Sequence, residues 1–253
     1  MRLLMELEGQ SCYQNMAEDE AIMNQDGGLT LRLYRWRPRA ISIGYSQSLE
    51  DEVDLDFCKE QGIDVVRRTT GGGAVFHDEE LTYSVLVHLD EWNDLLDKRG
   101  ETRGIANSFR ILCGPIVQGL QRAGVEANFR PLNDVEIHGK KISGNAQTRR
   151  EGYLLQHGTI LLDLDLDTMF QALKVSDLKL KDKMIGSARE RVTSAASLNL
   201  DLSHKGLAHE LAEAYGKLFS SPPKKGKLSD VEERDKIRLS AEKYAQRWWN
   251  HLR

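Results

Sequence analysis

Strand-like segments in this chain come in adjacent pairs instead of alternating with helices, and that arrangement limits the fold more than any other feature. Leu29 to Trp36 and Ala40 to Gly44 follow one another as β-rich stretches, and Ala74 to Phe76 is followed by Leu81 to Val87. Further on, Asp134 to Ile137 and Lys141 to Gly144 flank His138-Gly139-Lys140, and another turn falls near Arg149 to Gly152. Short turns make antiparallel neighbours, whereas parallel neighbours need a crossover of about a dozen residues or more. The pattern predicts an α+β fold with a mixed, mostly antiparallel sheet flanked by helices, not a doubly wound nucleotide fold. The first two segments are expected to pair as a hairpin, and the segments from 134 to 152 as two successive hairpins.

Helices are expected at Asn15 to Asn24, at Asp54 to Gln61 before Gly62, and at Thr102 to Ala123. In the last of these, Ile105, Phe109, Leu112, Ile116 and Leu120 recur at three- or four-residue steps before Gly124. Thr168 to Leu173, Gly206 to Phe219 and the stretch from Asp230 onward are also helical in tendency. With 253 residues and 40% apolar content the chain can bury a real core. We read residues 1–253 as a single catalytic-type domain, with a helical C-terminal part from about 204 and an exposed linker near 220–229.

A net charge of −4 leaves no footprint for general nucleic-acid binding, although Lys174 to Arg191 is locally basic. The three cysteines, Cys12, Cys58 and Cys113, are widely separated and lack metal-type spacing, which fits a reducing, cytoplasmic setting and small buried core positions. Met1 to Glu8 is too short and too interrupted by acids for a signal peptide, and no run approaches the roughly 20 apolar residues of a membrane span.

The candidate chemistry lies in Val66 to Asp78, where Arg67 and Arg68 precede Thr69-Thr70 and the glycines Gly71, Gly72 and Gly73. Glycines bare the backbone N–H groups, and arginines offer forked donors, so the loop reads as a cradle for a phosphate or an acyl phosphate. A plain glycine turn between two strands, with solvated arginines beside it, is the other reading. His77 and His157 are attractive as polar wall residues, yet a lone histidine on a strand is more often a satisfied structural group.

Arg67 to Asp78, then Leu132-Asn133-Asp134-Val135, then Gly139 to Ala146, then Gln156-His157-Gly158-Thr159 resemble, in that order, motifs of the lipoate-protein ligase and octanoyltransferase family. Weaker support lies in Ile41 to Gln47 and in Ser187 to Thr193. The resemblance implies the fold shared with biotin ligases and class II aminoacyl-tRNA synthetases. It also implies acyl transfer to a lysine of a lipoyl-domain acceptor protein. One transferase group needs a thiol just before the segment held here by Asn128 to Pro131, and no cysteine follows Cys113. The expectation is therefore the ligase branch, with ATP and Mg²⁺ activating lipoate or octanoate to an acyl adenylate. Features of the transferase branch are also present, in Glu80 to Ser84 and Leu154 to Gly158.

In that reading Lys141 bridges the acyl carboxylate and the α-phosphate as the catalytic residue. Arg68 with Gly71, Gly72 and Gly73 holds the phosphoryl and acyl ends, and Val75 and Phe76 meet adenine. Asn133 and Asp134 contact the nucleotide, with Asp134 the candidate Mg²⁺ ligand; Gly144, His77 and His157 complete the substrate-binding set. The chain stops at Trp248 to Arg253 after a helix, with no room for the small accessory domain often found in ligases, so a separate accessory subunit is expected. An octanoyltransferase using an acylated carrier protein and a non-catalytic acyl-adenylate binder are the competing readings, with a biotin ligase less favoured.

Overall fold

The structure, a computed structural model, describes residues 1–174 and 190–253. Its strands are β1 (Arg2–Gln10), β2 (Thr30–Trp36), β3 (Ala40–Ile43), β4 (Asp64–Arg67), β5 (Val75–His77) and β6 (Glu80–His88), followed by β7 (Ala127–Arg130), β8 (Asp134–Ile137), β9 (Lys140–Arg150), β10 (Tyr153–Leu161) and β11 (Lys224–Lys225). They form an eight-stranded sheet in the order β11-β1-β2-β6-β10-β9-β8-β7 and a three-stranded sheet in the order β4-β3-β5. Among the named strands parallel pairing occurs for β1 with β11, β1 with β2, and β3 with β4, and an isolated parallel bridge joins Lys141 to Val192. The α+β class with a mostly antiparallel sheet flanked by helices is thus the observed fold.

The two successive hairpins are present, β8 with β9 and β9 with β10. Their turns place His138 and Gly139, then Glu151 and Gly152, at positive φ, the geometry that suits the right-handed twist of paired strands. The first expected hairpin is absent: β2 lies between β1 and β6 in the large sheet, and β3 between β4 and β5 in the small one. Both strands are buried almost throughout, and Pro38 between them has no N–H for a ladder. Each strand finds its partners inside a different sheet. The sequence reading also passed over β1, whose apolar run is broken by Glu6 and Glu8, and the helix Leu89–Arg99, closed by Gly100 in the left-handed conformation.

One face of the large sheet carries the main core. Leu31 and Leu33 of β2 with Tyr83 and Val85 of β6 pack against Leu112, Ile116 and Leu120 of helix Ile105–Arg122 and Leu207, Leu211 and Tyr215 of helix His204–Leu218. The intervening positions face the other way, toward helix Cys12–Asn24, which opens on a capping box between Ser11 and Gln14. That helix buries Glu18, Asp19 and Glu20 in consecutive positions. The acids are matched by Arg32, Lys236 and Lys243 from three separate segments. Helices Leu55–Gln61 and Leu166–Ala172 cover the small sheet. Residues Ser187 to Arg189 of the weak downstream motif lie outside the described residues. Among the described residues no helix is long and apolar enough to cross a membrane.

Candidate active site

Strand register builds the floor of the site. Tyr34 pairs with Thr82, Thr82 with Thr159, Thr159 with Gly144, and Gly144 with Asp134, so one row crosses β2, β6, β10, β9 and β8. The next row runs Arg32, Ser84, His157, Ala146. Over these rows lies a cavity of about 310 Å³, walled on the small-sheet side by Ser42, Val75, Phe76 and His77. Arg68, Gly72, Gly73, Asn133, Lys141, Gly144 and His157 also line it. The structure therefore gathers most of the residues singled out in the sequence; Gly71 and Asp134 stand just outside the lining.

The glycine loop is organised from within by Arg68. Its Nη2 donates to the carbonyls of Gly71 (2.8 Å) and Gly73 (2.7 Å), Nη1 to Ser42 O (2.8 Å), and Nε to Thr70 Oγ1 (3.2 Å). Burial pulls this guanidinium down to about 10, and among the described residues no carboxylate pairs with it. Arg68 lines the cavity while its N–H groups shape the loop. Gly72 takes φ +93°, and its carbonyl would lie 2.0 Å from a Cβ at Gly44, so both residues serve a close backbone approach.

Lys141 extends over Gly144. A Cβ on Gly144 would lie 2.8 Å from both Cε and Nζ of Lys141, and Nζ sits 2.7 Å from Asp134 Oδ1. Asp134 thus neutralises the lysine. Among the described residues no three His, Cys, Asp or Glu side chains gather as a metal site. Asn133 Nδ2 donates to Asn145 O (2.6 Å), while Asn145 Nδ2 donates to Asn133 O (2.8 Å). This reciprocal clamp fixes the approach to β8 against β9, which gives Asn133 a structural duty.

The histidines are held at both ring nitrogens. His77 lies 2.8 Å from Ser42 Oγ and 2.6 Å from Glu80 Oε1, and its ring stacks on Trp36 at 3.7 Å. His157 Nε2 is 2.6 Å from Thr70 Oγ1, and Nδ1 is 3.7 Å from Asp19 Oδ2. Burial keeps His157 below its ordinary value, and Asp19 opposes that shift. For Asp19, burial raises the carboxyl, but Arg32 and His157 together bring it below the usual range. Asp19 and Thr70 were not among the predicted site residues. The acid run Glu18-Asp19-Glu20 inside a helix that must be buried was the available signal for the first.

No cysteine lines the cavity. All three are buried, and burial raises each thiol, Cys58 to about 11 and Cys113 to about 12.

The family model described as the lipoyl protein ligase A/B catalytic domain matches residues 11–216. The octanoyltransferase LipM of Clostridioides difficile is 35% identical, with 94% of each chain covered. That of Kyrpidia tusciae is 34% identical over 99% of this chain and 98% of its own. Among solved structures, one described as a bi-partite lipoate protein ligase from Thermoplasma acidophilum superposes with a TM-score of 0.87 at 34% identity, covering 99% of this chain and 95% of that one. The curated relatives overturn the expected ATP-dependent ligase, since they are octanoyltransferases along nearly the whole chain. ATP and Mg²⁺ lose their support with it. Asparagine at position 128 removes an acyl-cysteine there, whereas an amine can attack a thioester directly.

Proposed function

Because the chain belongs to the lipoyl protein ligase A/B catalytic domain family, we propose that it is an octanoyltransferase that moves an octanoyl group from a carrier-protein thioester to the ε-amine of a lysine on a lipoyl domain. The observation that carries this reading is the match to octanoyltransferases over nearly the full length of the chain. The acyl chain enters the apolar cavity, and its carbonyl comes to rest between the glycine loop and Lys141. The neutral lysine amine of the acceptor attacks the carbonyl carbon, the C–S bond breaks, and the amine's proton passes to the departing thiolate. Products are an amide and a free thiol.

Lys141 is the group we assign to the oxyanion, since a positioned cation gains most where negative charge develops. Asp134 orients it until that charge appears. With every thiol buried and raised, transfer proceeds without a cysteine acyl-enzyme. The family match supports a lipoyl-domain acceptor; the separate subunit expected from the sequence has support only in the bi-partite archaeal neighbour, and thioester aminolysis, which forms no adenylate, needs none. The test is release of free carrier thiol in ATP-free mixtures. The reading requires release that depends on both enzyme and acceptor; thiol release independent of the acceptor would refute it.

A further inference from the structure

Arg67 is fully buried, and among the described residues no carboxylate accepts a hydrogen bond from it. Its guanidinium is used up by main-chain carbonyls instead. Nε donates to Trp249 O (3.0 Å) and Nη2 to Asn250 O (2.7 Å), while Nη1 reaches Gly44 O (3.2 Å), Tyr45 O (2.9 Å) and Gln47 O (2.6 Å). The Arg67 main chain is held as well: its N–H donates to Asn250 Oδ1 (2.7 Å), and its carbonyl accepts from Trp249 Nε1 (2.8 Å). Asn250 Nδ2 in turn donates to Tyr244 O (2.8 Å).

These bonds tie together the turn Arg247–Asn250, the exit of β3 and the end of β4. The glycine loop leaves from that knot. Arg68 N donates to Ile43 O (3.0 Å) and Tyr45 N to Thr70 O (2.9 Å), directly beside the contact of Gly44 with Gly72. None of Arg67, Trp249 and Asn250 lines the cavity. We propose that Arg67, Trp249 and Asn250 are positioning residues: the turn Arg247–Asn250 is a latch that sets the place of the glycine loop, and through it the acyl carbonyl, without touching substrate. The kinetic part of this proposal rests on the octanoyl-transfer reading; the conformational part does not.

Hydrogen exchange and kinetics on the full chain test it, using Asn250→Ala and, as a milder change that keeps the ring but loses its N–H, Trp249→Phe. Opening of the latch should speed exchange of the Tyr45 and Arg68 amides about tenfold or more while the amides of β6 and β10 keep their rates. The same variants should lose about tenfold to a hundredfold in kcat/KM, mainly through KM for the acyl donor, as expected when a positioning element shifts by a fraction of an ångström to an ångström. Unchanged exchange at Tyr45 and Arg68, or uniformly faster exchange across the sheet, overturns the latch. Faster local exchange with unaltered kinetics overturns its positioning role. Should Asn250→Ala fail to fold, Trp249→Phe decides by the same two readings. Absence of octanoyl transfer in the unmodified protein would strike the functional reading alone, and exchange would still decide whether the latch exists.

Discussion

At the scale of single residues, the account concentrates chemistry on Lys141 and its setting. Lys141→Ala should lower octanoyl transfer by about two to three decades, the usual loss for one oxyanion donor. Its side chain is 41% exposed, so thermal unfolding should hardly change. Gly144→Ala should mimic this loss, because its Cβ would come within 2.8 Å of Lys141 Cε and Nζ and push the ammonium aside; transfer kinetics beside a melting curve check both variants. A different residue, Glu6, adds a pH-dependent contribution to stability. Burial pushes the Glu6 carboxyl from 4.5 up to about 7, with Arg32 opposing the shift and Glu18 adding to it. A raised folded value means stability that is fully present below the unfolded value and lost as pH rises through the folded one. Glu6→Gln should therefore gain about 1 to 3 kcal/mol over the parent at pH 8 and much less at pH 4, as read by urea unfolding at the two pH values.

At the scale of elements, short-range chemistry was the legible part. His138-Gly139 and Glu151-Gly152 mark the turns of β8–β9–β10 by their positive φ, and helix Ile105–Arg122 shows its spacing plainly. Elements decided by distant partners were not legible. Segments β2 and β3 read as a hairpin because they are close in sequence, yet each is claimed by strands from elsewhere. Arg68 and Asn133, singled out by motif, both line the cavity, but that their donors turn inward, to the glycine loop and to Asn145, depends on approaches no spacing rule encodes. Asp19 was missed because it meets His157 across well over a hundred residues of chain. The Asn133–Asn145 clamp is open to test. Asn145→Ala removes the acceptor of the Tyr83 hydroxyl, which now donates to Asn145 Oδ1 at 2.6 Å while accepting from Gln156 Nε2, and frees the loop before β8. The expected cost is about 1 to 3 kcal/mol in denaturant unfolding, with faster amide exchange confined to the approach to β8.

At the scale of the whole molecule, two sheets meet over one cavity, and the cavity holds a lysine but no thiol. A variant with Cys12, Cys58 and Cys113 all changed to alanine should keep transfer within about threefold once allowance is made for the cavities left in the core. The most direct test of the central claim is intact-mass spectrometry of enzyme and lipoyl-domain acceptor together, incubated with octanoyl carrier protein in the absence of ATP. The account predicts an acceptor that gains one octanoyl group while the enzyme's own mass stays unchanged throughout. An acceptor modified only when free acid and Mg·ATP are supplied, or an enzyme that accumulates the octanoyl group itself, would contradict it.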